Sequence, residues 1–365
     1  MKPALNRLET YYLLTNVKGV MIFVLVLYHF VMESFRADNY GGIRALGLGG
    51  MLGIAPLILL FFCAVPLFVF VTGFSSKDTD SCRETAFSLY FIPYLLLSVV
   101  MALEYGLING LPIYFFPFEP LMQLWYLLAM FLWMLLLKDV SRIKGILVIS
   151  YLITLVIGMR FNNPVLAASS GVGTFLSLSR VLYFFPFLLL GFFMKPETLS
   201  RLCRVKWQFA ALAAAGFAAL SVGTEALCCR GDANGIVSLL VLNGNASYQE
   251  RVQGMNHLQI NLFGALLTVL LTAMTLCLLV TMLRFMPKKK IPFLTRLGDA
   301  SLTVFSLHVF LTIPLTGQIA KLPLVPAFFV SIGAAAITCF LLSLRPVHKT
   351  YSRFIFRIGD AIRKK

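Results

Sequence analysis

Apolar runs approaching or exceeding the roughly 20 residues that cross a hydrocarbon core recur along this chain from residue 17 to residue 344. In water those runs would expose contiguous apolar surface far beyond what a soluble monomer carries. Composition agrees, since 59% of the 365 residues are hydrophobic and 13% are charged, against about a quarter charged in an ordinary globular chain. The gaps between runs are too short for a soluble domain of ordinary size. The chain therefore reads as all-α, a polytopic membrane protein of about ten transmembrane helices. They are placed near 17–34, 55–74, 88–108, 121–137, 145–159, 179–194, 208–226, 259–283, 299–317 and 322–344. The first run lacks a small-residue cleavage pattern after it and reads as a retained helix, not a signal peptide. Pro56, Pro66, Pro93 and Pro186 fall inside these segments, which membrane helices tolerate when neighbours satisfy the freed carbonyls.

Orientation follows from Lys and Arg. With a cytoplasmic N-terminus, 24 of them fall on the cytoplasmic side and 7 outside, the bias expected of the positive-inside rule. Both termini are then cytoplasmic. The net charge of +16 is accounted for by these short loops, and nucleic acid is not implied. The organisation expected is a membrane domain over 1–345 and a basic amphipathic cytoplasmic tail over 346–365, with Tyr351, Phe354, Ile355, Ile358 and Ile362 at helical spacing, as in a helix lying on the inner leaflet. The longest external segment, about 227–258, is polar and carries Asp232, Asn243, Asn245, Glu250 and His257; loops of that length are either functional or disordered. Seven scattered cysteines lack metal-ligand spacing and read as small buried hydrophobes; the adjacent Cys228 and Cys229 could instead be redox-active.

Ionisable residues within a span are costly and are functional candidates by default. Lys18 and His29 are eleven residues apart, close to three full turns, so they share a face of the first helix and are separated by roughly 16 Å of rise. Glu33 lies one turn further along the same stripe. A His with a carboxylate neighbour is a plausible general base, because the carboxylate fixes the tautomer and raises basicity. The bland alternative is that Lys18 snorkels to the cytoplasmic interface and Glu33 to the outer one, which leaves His29 unexplained. On the ninth segment Ser301, Phe305 and His308 share a face, with His308 roughly 15 Å from the cytoplasmic end. His29 and His308 thus sit at similar depth, either in a shared site or with His308 as a satisfied structural histidine.

Four segments, in order along the chain, resemble the integral membrane acyltransferase 3 family. They are Lys18-Gly19-Val20 through Leu27-Tyr28-His29, Pro66-Leu67-Phe68-Val69-Phe70-Val71-Thr72-Gly73-Phe74, Leu124-Trp125-Tyr126-Leu127, and Leu297-Gly298-Asp299-Ala300-Ser301-Leu302 through His308. The family pattern of a basic residue, ten others and a histidine fits Lys18 and His29; arginine is the commoner cation, and lysine points to the branch resembling fucose 4-O-acetylases. An ammonium can hold a phosphate, but without the bidentate fork. The resemblance implies transfer of an acyl group, usually acetyl, from cytoplasmic acyl-CoA to a hydroxyl of a cell-surface carbohydrate or its lipid-linked precursor.

That chemistry assigns roles. His29 is the expected base, assisted by Glu33. Lys18, Lys77 and Arg83, with the run Lys288, Lys289 and Lys290, are candidate partners for the phosphates of acyl-CoA, although each also serves as a topology signal. The acceptor would enter near Glu104 and Trp125, with His308 and Ser301 as further substrate contacts; aromatic faces suit sugar rings, while a membrane Trp also serves packing. The competing class is a transporter or flippase of a sugar or lipid-linked intermediate, in which buried His and Glu form a proton relay. No internal inverted repeat supports it. A polysaccharide polymerase would want arginine-rich external loops, and these are arginine-poor.

Overall fold

In a computed structural model of the protein, residues 5–34, 47–109, 117–159, 175–230 and 256–363 are described, with the helix backbone alone over 32–34, 47–58 and 222–230. Among the described residues all regular structure is helical: α1 (Arg7–Ser34), α2 (Gly47–Ser75), α3 (Thr79–Ala86), α4 (Ile92–Asn109), α5 (Trp125–Val140), α6 (Ile146–Ile157), α7 (Leu178–Phe193), α8 (Pro196–Leu202), α9 (Trp207–Arg230), α10 (His257–Phe285), α11 (Pro292–Asp299), α12 (Ser301–Ile319), α13 (Leu324–Leu342) and α14 (Arg345–Arg363). A π turn over Phe87–Phe91 joins α3 to α4. Each of the ten apolar segments read from the sequence lies on a helix.

Among the described residues five helices are long and apolar enough to cross a bilayer: Arg7–Val31, Thr79–Ile108, Leu258–Phe285, Ser301–Ile319 and Val325–Leu342, or six if Leu178–Phe193 is counted with Pro196–Leu202. Leu59–Ser75, Ile146–Ile157 and Trp207–Ser221 are apolar but shorter. Large apolar side chains stand outward on these helices, among them Leu107 on α4, Leu152 on α6, Leu212 on α9, Leu262 on α10 and Phe329 on α13. Such faces are stable against lipid tails and not against water.

The chain divides into two compact units. The first comprises Met1–Val71, Met194–Gly223 and Thr272–Tyr351. Its central element is α1, which starts ten residues before the apolar run because Asn6 and Glu9 form a capping box: the Glu9 N–H donates to the Asn6 side chain at 2.8 Å and the Asn6 N–H to the Glu9 carboxylate at 3.0 Å. The helix packs against α11, α12 and α13. Against α11 the backbones touch, since a Cβ at Gly298 would collide with the Thr15 carbonyl and one at Gly19 with the Leu294 carbonyl. On α13, which packs on α1 and α12, Ala327, Ser331, Ala335 and Cys339 are buried at one per turn, the small-residue seam by which membrane helices approach closely.

One buried polar network ties this packing together. The Asn16 side-chain amide, fully buried, donates to the Pro287 carbonyl at 2.9 Å and the Lys289 carbonyl at 3.1 Å. Its oxygen accepts from the Thr295 hydroxyl at 2.8 Å, and that hydroxyl accepts the Ile291 N–H at 2.9 Å. The loop between α10 and α11 is therefore pinned to α1.

The second unit comprises Thr72–Phe193, Thr224–Leu271 and Ser352–Lys365. Here Trp133 Nε1 on α5 donates to the Val181 carbonyl on α7 at 3.0 Å, and the Thr154 hydroxyl on α6 reaches the Leu182 carbonyl at 3.2 Å. Gly73 permits close approach to α7, because a Cβ there would strike the Leu188 carbonyl. The C-terminal helix α14 confirms helical structure for the tail. Of the apolar residues grouped in the sequence, Ile355 is buried and Phe354 exposed, so the group divides between an inward and an outward side.

Candidate functional site

Within the first unit, α1 and α12 bring His29 and His308 together. His308 Nε2 lies 3.0 Å from His29 Nδ1, the rings are tilted by 29° with centroids 5.1 Å apart, and both are buried. Tyr28 stacks on Phe61 of α2 with centroids 3.5 Å apart and nearly parallel planes, and His29 meets the same ring edge-on at 5.6 Å. Aromatic packing thus fixes the plane of the His29 imidazole, and His308 fixes its rotation.

The hydrogen bonds also set the tautomers. His308 Nδ1 lies 2.8 Å from the Phe305 carbonyl and 3.0 Å from the Val304 carbonyl. Carbonyls only accept, so Nδ1 carries the proton. With both rings neutral, His308 Nε2 must then accept, and the proton between the rings belongs to His29 Nδ1. That leaves the lone pair of His29 on Nε2. A base whose far nitrogen is held by a second group is the arrangement used by nucleophile-activating histidines, in which the partner selects the tautomer.

At the other end of the α1 stripe, Lys18 is half-buried and feels the charge of Asp299 at the end of α11. Asp299 also accepts from the Tyr11 hydroxyl at 2.5 Å. The lysine lies roughly 16 Å along the helix from His29, with the Asp299 carboxylate within electrostatic range of it. Ser301, at the start of α12, is buried and lies about 10 Å of rise before His308, so it belongs to the Lys18 end and not beside the imidazoles. The Glu33 side chain lies outside the described residues, as does the chain over 231–255 with Asp232, Asn243, Asn245 and Glu250.

The remaining sequence candidates belong to the second unit. Lys77 donates to the Gly191 carbonyl at 3.2 Å and to the Phe192 carbonyl, capping the C-terminal end of α7 where a cation is favoured; burial holds its amine below the ordinary lysine pKa. Arg83 donates to the Leu135 carbonyl at 2.6 Å and pairs with Asp139, while Lys138 pairs with Asp80. Both candidate phosphate ligands thus have protein partners on neighbouring helices. Trp125 is buried, stacked on Phe184 at 5.6 Å with the Arg180 guanidinium 5.0 Å from its ring centroid. Glu104 on α4 keeps one carboxylate oxygen buried with no hydrogen-bond partner among the described residues.

Sequence reasoning gave Asn16 and Tyr11 no role and read Asp299 only as part of the Leu297–Leu302 segment. Asn16 had one visible signal, a polar amide at the very start of an apolar run. Among the described residues no group of three or more His, Cys, Asp or Glu could hold a metal ion.

Comparison with known proteins gives one match. The sequence model of a family described as an acyltransferase domain covers residues 11–344, which includes the histidine pair, Lys18 and the pinned loop. No curated protein and no solved structure matches significantly.

Proposed function

Because the chain belongs to the acyltransferase 3 family and is thereby a membrane acyltransferase of groups other than amino-acyl groups, we propose that it moves an acyl group, in the first instance acetyl, from cytoplasmic acyl-CoA to a hydroxyl of a cell-surface carbohydrate or its lipid-linked precursor. The observation that carries the chemical part of this reading is the His308–His29 hydrogen bond, which leaves the basic lone pair on His29 Nε2. In the proposed step Nε2 takes the proton of the acceptor hydroxyl as its oxygen attacks the thioester carbonyl. The C–O bond forms, the C–S bond breaks, and the departing CoA thiolate recovers the proton from the imidazolium. His308 acts as a positioning residue, the role that the sequence reading gave to Glu33.

The same reading places ten spans in the membrane of the cell with both termini inside, so that the Lys18 end of α1 faces the cytoplasmic donor and the Glu33 end faces the acceptor. Lys18 remains the α1 cation proposed to meet the donor. Lys77 and Arg83 contribute by fixing α7 and α5.

The test is reconstitution. Purified protein in vesicles, given acetyl-CoA and the cell's envelope glycans, is expected to release CoA thiol in step with ester formation on the glycan. Thiol release that no glycan fraction stimulates would remove the carbohydrate acceptor, and failure to consume acetyl-CoA at all would remove the donor.

A further inference from the structure

One cation of the first unit has no part in the chemistry proposed above. Arg296 on α11 holds its guanidinium over two aromatic rings, 5.7 Å from the Phe293 centroid and 5.2 Å from that of Phe340 on α13. The two rings stack on each other with centroids 6.4 Å apart and planes 23° from parallel. A guanidinium is a fork of N–H donors with no acceptor of its own. Among the described residues the Arg296 Nε is buried with no hydrogen-bond partner, and no carboxylate pairs with the group. Asp299, one turn further along α11, accepts instead from the Tyr11 hydroxyl.

An arginine that only marked one side of the membrane would stretch its head into water. This one is drawn back over apolar rings, where a charge is costly until an anion meets it. Its surroundings are amphiphilic. Phe293 and Phe340 are 42% and 48% exposed, and the outward face of α13 continues from Phe340 with Leu341 and Ile337, 44% and 61% exposed. Ile337 is one turn from Phe340 and Leu341, so the apolar strip runs from the guanidinium towards the middle of α13, and with it towards the middle of the bilayer. An anionic head at the arginine and a hydrocarbon chain on the strip fit a single molecule. A free phosphate would meet the cation and leave the strip bare, and a zwitterionic lipid brings its own cation to its phosphate.

We propose that Arg296, Phe293 and Phe340 bind the phosphate of an anionic phospholipid such as phosphatidylglycerol, with an acyl chain laid against Ile337 and Leu341. The planar guanidinium can offer a phosphate two parallel N–H bonds. With both termini inside, as proposed above, the lipid belongs to the inner leaflet. Arg296 and Phe293 sit on α11 and Phe340 on α13, and both helices pack on α1. The bound lipid therefore braces the two neighbours of the helix that carries His29.

The experiment is native mass spectrometry of the delipidated full-length protein in a nonionic detergent, titrated with phosphatidylglycerol or with phosphatidylcholine of the same acyl chains. The parent is expected to take up one phosphatidylglycerol about tenfold more tightly than phosphatidylcholine, and Arg296→Gln to lose that preference, as befits a charge-assisted contact to phosphate. Phe340→Leu keeps the charge and an apolar side chain but removes one ring, and should weaken phosphatidylglycerol by about two- to fivefold with phosphatidylcholine unchanged. Equal affinity of the parent for the two lipids, or a preference undiminished in Arg296→Gln, would overturn the site. So would an undiminished preference in Phe340→Leu, which decides the matter if the glutamine variant does not fold. Displacement of the lipid by inorganic phosphate or glycerol 3-phosphate at equal concentration would assign the arginine to soluble phosphates and overturn the lipid. No acyl donor is present in these titrations, so none of their outcomes bears on acyl transfer.

Discussion

The two ends of α1 are built for different work. At the cytoplasmic end its backbone touches that of α11 at Gly19 and Gly298, and Asn16 satisfies two carbonyls and one hydroxyl. Near the other end the His29 imidazole is hydrogen-bonded to that of His308 and meets the edge of the Phe61 ring. The first end is saturated with short-range contacts that tolerate no added atom. The second sets a tautomer through the contact between the two imidazoles. A substitution at the first end should therefore register in stability, and one at the second in rate.

The largest effect is expected from Gly298→Val. Two backbones in contact cannot yield as a side chain can, so the cost should exceed the roughly 1–3 kcal/mol of ordinary overpacking. The variant should fail to accumulate as a monodisperse protein in detergent. Near-parental yield and melting temperature would show that α1 and α11 can separate, and the contrast between the ends would weaken.

Asn16→Ala comes next. It strips partners from two carbonyls and a buried hydroxyl, at about 1–3 kcal/mol for each group left unsatisfied. Its thermal midpoint should fall clearly, and hydrogen exchange at residues 287–291 should quicken. An unchanged loop would mean that the pinning is incidental.

His308→Ala probes the other end. Loss of the partner frees the His29 tautomer without removing the base, so transfer should slow by about 10- to 100-fold, the range seen when the group orienting a histidine is removed. The melting temperature should move little. An activity loss as complete as that of a His29 variant would make His308 a reacting group and not a positioning one.

The smallest effect belongs to Lys77→Met. Its contacts are with carbonyls ending α7, worth roughly 0.3–1 kcal/mol for a cation at a helix C-terminus, with donor affinity unchanged. A tenfold fall in acetyl-CoA affinity would return Lys77 to the donor site.

How far these features could be read beforehand depends on what periodicity encodes. The apolar runs mark helices because lipid-facing segments of that length have no other way to satisfy their backbone, and the depth of His29 and His308 follows from rise per residue. Periodicity does not say which faces of different helices meet, so the contact between the two imidazoles was out of reach, and Glu33 was the available partner for His29. The same limit applies to Lys77 and Arg83. A cation in a short loop looks identical in sequence whether it awaits a phosphate or caps a neighbouring helix. The early start of α1 was legible in the spacing of Asn6 and Glu9, which is that of a capping box. The small-residue seam of α13 is equally plain once its neighbour is known.

The central claim is that His29 reacts and does not merely pack. It is tested most directly by measuring acetyl transfer and acetyl-CoA affinity on the same preparation of His29→Ala. A general base of this kind contributes on the order of 10² to 10⁴ in rate, so transfer should fall by at least a hundredfold while donor affinity stays within about twofold of the parent, since Lys18, the α1 cation proposed to meet the donor, lies roughly 16 Å away along the helix. Transfer within tenfold of the parent, with the protein folded and donor bound, would contradict the account and place the base elsewhere.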